Sequence, residues 1–301
     1  SVESASVGPW PTDLVILYKG TRSDSYGLFD GDGAYVSDFT MAGMPTDSAA
    51  KVVRGAGDNV YVISTEEGVL EITDPVRCVI PPAKVAHASA MVYIGIQGQG
   101  SSSFGRPILD AALDSQGYAY VVPVVVEPED GEAYICAAQL ELQEGEDPPY
   151  RVARLYDDPA PTNDNRYRDC LREIEVDGAG NVYVLNVHRL NESCLLWKYG
   201  SDGTLLARLS LLAPGSPAKA ADPAALHVSQ DGQTLYLVSG QQDGEHPGSV
   251  VLYGLSSEDL SLVRMVTIEG MPLATSITED PATGTLWVTG FRTTEEAAAF
   301  P

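Results

Sequence analysis

The chain has 301 residues, with 42 acidic side chains against 18 basic ones, a formal charge of −24, 44% apolar residues, 29 glycines and 20 prolines. Its longest apolar run, 118–126, is nine residues with Pro123 inside it, against the roughly 20 that a membrane-crossing helix needs. Duplex nucleic acid, which is bound through clustered Lys and Arg, is excluded as a partner by a field of this sign, and the supply of Val, Ile, Leu and Tyr is too rich for a disordered chain.

Residues 1–11 lack the basic start and apolar stretch of a signal peptide, so the expectation is a chain that is either cytosolic or already mature. Residues 14–18 (LVILY), 26–29 and 34–39 then read as the second, third and fourth strands of a small antiparallel sheet. Between the last two lies Asp30-Gly31-Asp32-Gly33, followed by Asp38, and these alternating carboxylates resemble half of a calcium loop. The competing reading is a plain hairpin turn, in which Asp and Gly accept unusual backbone angles. A strand follows at 57–64 (GDNVYVIS), and the Gly- and Ser-rich stretch 83–105 reads as an insertion. Its GQGSSSFG segment, 98–105, matches neither a phosphate loop nor a nucleophile elbow and is expected to be a flexible surface segment.

The next strand opens with DSQGYAYVVPV at 114–124. The connection at 157–169 gathers Asp157, Asp158, Asn163, Asp164, Asn165 and Asp169, an oxygen density that suits calcium. Arg166 and Arg168 within it favour a salt-bridged, solvated loop instead. One complete unit then runs through strands at 170–176, 181–187 (after the turn of DGAGNVYVLNV), 194–199 and 204–211, and a second through 224–229, 234–239, 249–254 and 260–268. The last copy, DPATGTLWVTG at 280–290, ends after 287–291 and leaves first and second strands without outer partners.

These pieces are copies of one pattern: a turn rich in Asp and Gly, then an alternating strand carrying an aromatic residue. The aromatics are Tyr61, Tyr120, Tyr183, Tyr236 and Trp287, spaced by 59, 63, 53 and 51 residues. Four short antiparallel strands in about 50 residues form a β-propeller blade, whose faces must be covered by its neighbours and whose ring must close. The expected fold is therefore all-β, a single domain over 1–301 built as a six-bladed β-propeller of four-stranded antiparallel blades, with five long blades as the alternative. No stretch offers a long amphipathic helix. The turn acids Asp58, Asp114, Asp177, Asp231 and Asp280 recur at matching places, which would put an acidic ring on one face.

The DGAGNVYVLN, DSQGYAYVV and GDNVYVIS stretches resemble the core of NHL-type repeats and of the senescence-marker and gluconolactonase-like propellers, in which an Asp-x-x-Gly-Asn turn precedes a Val-Tyr-Val strand. The resemblance covers five stretches of roughly ten residues and implies the propeller fold. It also implies that a lactonase member would hold a divalent cation at the ring axis with a Glu, two Asn and an Asp. That set does not map residue by residue onto this chain.

Of the four histidines, His87, His188, His227 and His246, no two stand at metal-ligand spacing. His227 falls on an innermost strand and is the candidate ligand-binding residue, with a structural histidine as the competing reading. Cys78, Cys136, Cys170 and Cys194 are too sparse for a small-domain disulfide framework, and Cys170 with Cys194 is the pair to test for a bridge. Asn191-Glu192-Ser193 is a glycosylation acceptor where the host has that machinery.

Together these features point to an extracellular, cell-surface or periplasmic ring without catalysis, a scaffold for a protein, a glycan or a neighbouring copy, with no nucleic acid and no membrane insertion. The alternative is a calcium-dependent hydrolase or lactonase. Calcium would be the cofactor, and Asp157, Asp158, Asn163, Asp164 and Asp169, or Asp30, Asp32 and Asp38, its ligands.

Overall fold

Alternating apolar residues bounded by Gly and Asp turns should give short strands that are half-covered on each face. The computed structural model describes, side chains included, residues 34–35, 110–114, 116, 118–122, 137–139, 154, 156, 171–187, 194–216, 218, 223–240, 248–280 and 283–291, and elsewhere the backbone of the strands named next. Among the described residues there are strands and turns and no helix.

The first sheet is β1 (Val2–Val7), β2 (Leu14–Lys19), β3 (Asp24–Phe29) and β4 (Tyr35–Phe39), and the second is β5 (Ala49–Arg54), β6 (Val60–Ser64), β7 (Gly68–Ile72) and β8 (Ala83–Ala86). After β9 (Tyr93–Gly95) comes the third sheet, β10 (Asp110–Leu113), β11 (Ala119–Glu127), β12 (Tyr134–Leu142) and β13 (Tyr150–Tyr156). The fourth is β14 (Leu171–Val176), β15 (Val182–His188), β16 (Ser193–Tyr199) and β17 (Leu205–Ser210). The fifth is β18 (Asp222–Val228), β19 (Thr234–Gly240), β20 (Ser249–Ser256) and β21 (Leu262–Glu269), and β22 (Leu273–Glu279) pairs with β23 (Leu286–Phe291).

Within each of these sheets, neighbours in sequence are neighbours in space and run antiparallel. The first strands pack side by side in order, β1 on β5, β5 on β10, β10 on β14, β14 on β18 and β18 on β22, and β22 returns to β1. The sheets therefore close into a ring, and the fold is a β-propeller.

Two details differ from the sequence reading. The N-terminal sheet carries its own first strand, β1, whose VESASV composition gives no strong apolar alternation, so it does not share strands with β22 and β23. The stretch 83–105 contains β8, the fourth strand of the second sheet, and β9, which runs parallel to β11 from Tyr93 opposite Val125 to Gly95 opposite Glu127.

The core lies between successive sheets. Along β15, Val182 and Val184 turn to the third sheet and pack with Ala112, Tyr120, Val122, Ala137 and Tyr156. Tyr183, Leu185 and Val187 turn the other way, onto Leu226, Val228, Leu235 and Leu237 of the fifth sheet. A third cluster joins Ala225, Tyr236 and Val238 to Ala274 and Ile277. Period-two alternation thus feeds two cores from one strand, and each fully buried Leu or Val contributes about 1.5–3 kcal/mol.

Candidate functional site

From the third sheet on, each first strand hands its chain to the second through a short turn, and because the strands alternate in direction these turns and the connections between third and fourth strands leave one end of the ring. The longer connections, including 157–170, 211–221 and 241–248, join strand ends at the other.

At that second end the first strands share a defect. Leu171 faces Asn186 and Glu173 faces Leu185, so Arg172 is an extra residue on β14. The same one-residue bulge recurs at Glu3 on β1, Ala50 on β5, Ala224 on β18 and Thr275 on β22. A bulge bends its strand and re-aims a side chain. Five of them at one register position encircle the axis, and this is the candidate functional site. Gly290, opposite Ala274 and just ahead of the Thr275 bulge, must be glycine, because a Cβ there would overlap the Leu273 carbonyl oxygen. Thr275 Oγ1 shares a 3.1 Å hydrogen bond with Thr289 Oγ1 across the pair.

On β10 the place of Glu173 is taken by Asp110, which is buried. Its Oδ1 accepts from the Ala111 N–H and its Oδ2 from the Ile174 N–H, both at 2.8 Å, so the carboxylate stitches β10 to β14. Each oxygen of this buried group thus has a backbone partner, which offsets much of the cost of taking it out of water. Sequence reasoning missed this residue; its signal was a lone acid inside the apolar run ILDAAL at 108–113.

His227 sits on β18, opposite Tyr236, next to the short turn and so at the end away from the bulges. Its side chain turns to the sixth sheet, with Nε2 3.9 Å from Glu279 Oε2. The same Glu279 oxygen accepts from the Gln230 N–H at 2.8 Å, tying the fifth sheet's turn to β22. Asp30, Asp32, Asp157, Asp158, Asn163, Asp164 and Asp169 lie outside the described residues, as does Cys170. Asp38 is on β4 opposite Gly27, and Cys194 is buried on β16. Tyr156 and Leu171, which flank 157–170, are at the bulge end. Among the described residues no three of His, Cys, Asp or Glu converge on a point.

The short-turn end explains the repeated acids and aromatics. Asp177 accepts from the N–H groups of Ala179 and Asn181 at 2.9 and 2.8 Å, from Asn181 Nδ2 at 2.7 Å and from the Tyr183 hydroxyl at 3.0 Å. Asp114 repeats the scheme with Gln116, Tyr118 and the Tyr120 hydroxyl. Burial and the adjacent carboxylate hold both phenols well above their ordinary pKa. The expected equivalence of Asp231 fails: the residue closing the fifth sheet's turn is Ser229, whose N–H donates to the Thr234 carbonyl as that of Asp177 donates to the Asn181 carbonyl. Asp231 instead accepts from Ser229 Oγ and the Gln233 N–H, and those bonds lower its pKa. Exposed Asp202 and Asp259 are lowered in the same way, by bonds from Thr204 and from Ser261.

No family model and no curated protein matches the chain. Among solved structures, a gluconolactonase from Xanthomonas campestris superposes with a TM-score of 0.54 at 14% identity, over 95% of this chain and 82% of its own. Hydrazine synthase from Kuenenia stuttgartiensis superposes with a TM-score of 0.52 at 12% identity, over 97% of this chain and 84% of its own. At such identities the likeness is one of fold, and that fold is the β-propeller that the ring of sheets already shows.

Proposed function

We propose that the chain is a non-catalytic, extracytoplasmic propeller, one domain over 1–301, that binds a protein, a glycan or a neighbouring copy at the bulge end of its ring. One observation carries this reading: the five equivalent bulge positions hold Glu3, Ala50, Arg172, Ala224 and Thr275, a single carboxylate with two alanines. An acid–base couple or a calcium cage calls for several oxygen donors brought together. Asp110, on a first strand that has no bulge among its described residues, gives both its oxygens to backbone N–H groups.

The second reading is a calcium-dependent hydrolase of the lactonase type. It is favoured by Asp157, Asp158, Asn163, Asp164 and Asp169, oxygen donors in the segment that leads into β14, with Asp30, Asp32 and Asp38 as a second set. Hydrolysis of a panel of aldonolactones by the full chain, followed by pH-stat with and without calcium, separates the two. The scaffold reading expects no rate above buffer. A calcium-dependent rate abolished by D157N, D158N and D164N together would replace it with the hydrolase.

The compartment reading rests on an acidic composition poor in Lys and on an even number of cysteines. The expected bridge between Cys170 and Cys194 is not formed, since Cys194 is buried outside any disulfide, so any bridge must join two of Cys78, Cys136 and Cys170. Thiol titration of the denatured, unreduced chain should find fewer than four thiols; a full count of four removes both the bridge and the placement.

A further inference from the structure

Six large apolar side chains are exposed among the described residues, and three of them, Val263, Met265 and Val266, stand on one strand, β21, at 64%, 59% and 48% exposure. That strand is the outer edge of the fifth sheet: it pairs with β20 from Glu269 opposite Ser249 to Leu262 opposite Leu255 and, among the described residues, has no strand on its other side. An edge strand of eight residues presents unpaired N–H and C=O groups along its length, and proteins commonly guard such edges with outward-pointing charges or Pro.

Here the guard is withdrawn. Arg264 is the strand's one cation, and it folds back over the sheet, with Nη2 2.6 Å from the Tyr236 hydroxyl and the guanidinium 5.0 Å from the ring centroid. Gly254, opposite Arg264, makes the room, since a Cβ there would lie 2.8 Å from Arg264 Cγ. Met265 faces the same way as Tyr253, whose ring packs between the fourth and fifth sheets, whereas Val266 turns to the other face, so the rim is apolar on both sides. Exposed acids bound it: Glu258 and Asp259 in the turn before it and Glu269 at its far end. Ser261 donates to Asp259 through both its N–H and Oγ, at 3.0 and 2.6 Å, which keeps that carboxylate ionised.

We propose that β21 is a docking edge for an extended peptide segment of a partner protein, with apolar residues at its centre and Lys or Arg at its ends, which adds as a further strand to the fifth sheet. Backbone bonding along the edge supplies affinity and the alternating side chains supply selectivity. The basic ends meet Glu258 and Asp259 on one side and Glu269 on the other, across the span of about 3.4 Å per residue that a strand covers. A second copy is the disfavoured occupant, because two chains each carrying −24 repel one another on approach. The inference concerns the rim and holds whether or not the ring is catalytic.

The test is fluorescence anisotropy of the full chain with three labelled peptides of about eight residues: alternating Val and Thr with Lys at both ends, the same with Glu ends, and the Lys-ended peptide with Pro replacing both central residues. The Lys-ended peptide is expected to bind saturably and more weakly as salt rises, and to protect β21 amides from hydrogen exchange. The other two peptides, and the M265K and V266K variants with the first peptide, are expected to lose at least about tenfold in affinity. Both variants change exposed residues, and their circular dichroism should match the parent. Equal binding by the Glu-ended or Pro-containing peptide, unchanged binding by both variants, or no binding of the Lys-ended peptide overturns the proposal. Sedimentation showing a dimer at high salt that M265K dissociates would overturn it in favour of a second copy.

Discussion

The fourth and fifth sheets carry the same aromatic at the same register position and treat its hydroxyl in opposite ways. Tyr183 donates to the Asp177 carboxylate, whereas Tyr236 accepts from the Arg264 guanidinium. The cause is one residue of turn length: the first turn closes from Asp177 to Asn181, the second from Ser229 to Thr234. In the shorter turn the closing acid stands six residues before the tyrosine and reaches its hydroxyl. In the longer one a serine closes the turn, the acid moves to Asp231 and bonds only its own loop, and the phenol turns to the outer strand. What the repeat preserves is therefore the ring, which packs between sheets; the hydroxyl takes whatever partner the turn supplies. Trp287, with no hydroxyl, fills the corresponding place on β23 opposite Thr278.

Removing the two acids should give the largest contrast. Asp177→Ala strips one acceptor from four donors, two of them side chains, in a turn where Asp177 itself is buried. The expected loss is about 3 kcal/mol. Asp231 is exposed, and its partners can turn to water, so Asp231→Ala should cost roughly 0.5 kcal/mol or less. Urea midpoints of the two variants measure this directly. Equal shifts would show that turn length does not decide the acid's role.

This contrast also shows what could be read in advance. The blades were legible because period-two apolar patterning and Asp/Gly turns are local signals, and Tyr61, Tyr120, Tyr183, Tyr236 and Trp287 do mark the second strands. The bulges at Arg172, Ala224 and Thr275 were not legible, since an extra residue leaves no mark in composition and shows only when the partner strand's register is known. Asp114 and Asp177 read as turn formers from the sequence, but a bond to a hydroxyl six residues on depends on hairpin geometry. Asp231 looked equivalent because matching by letter cannot see a one-residue difference in loop closure. The strand that holds His227 is legible from its alternation, yet its neighbour Glu279 is 52 residues away in sequence, the difference of their numbers, and no local pattern links them.

Alkali should separate the sheets by a smaller margin. Tyr120 and Tyr183 are raised above their ordinary value of 10.0 by burial first and the neighbouring carboxylate second. Below pH 10 both states hold these phenols neutral and the stabilisation is complete. Above it the unfolded chain loses its phenolic protons while the folded chain keeps them, so stability falls as pH rises. For two such groups the loss is roughly 2 kcal/mol by about pH 11. Denaturation curves at rising pH, run on the parent, Tyr183→Phe and Tyr236→Phe, should show about half of that slope lost in Tyr183→Phe; a parent-like slope there would remove the carboxylate-bound tyrosine from the account.

At neutral pH the same two variants give the next step down. Tyr183→Phe takes a buried donor from Asp177 and from the Ser257 carbonyl, 3.2 Å away on the fifth sheet, and should cost about 1.5 kcal/mol. Tyr236→Phe removes an acceptor from Arg264, which is exposed and can be solvated, and keeps the ring under the guanidinium, so about 0.5 kcal/mol is expected. Thermal unfolding of both, with Tyr120→Phe as a second member of the first class, would break the comparison if Tyr236→Phe proved the most costly.

Acid should produce the smallest effect, and its size tests whether the fifth sheet's turn is held by Asp231 at all. The bonds from Ser229 Oγ and the Gln233 N–H keep the Asp231 carboxyl below its ordinary value of 3.8. With a depressed folded value, the stabilisation is complete above the unfolded pKa and disappears as pH falls through the folded one, so the window lies below about pH 4. Because Asp231 is almost fully exposed, solvent screens most of the gain. Parent and Asp231→Asn should therefore have the same melting temperature at neutral pH to within about 2 °C and converge further below pH 3. A parent that outlasts the variant by several degrees at neutral pH would mean that the longer turn depends on its acid as the shorter one depends on Asp177, and the distinction between the two sheets would reduce to the tyrosine's partner alone.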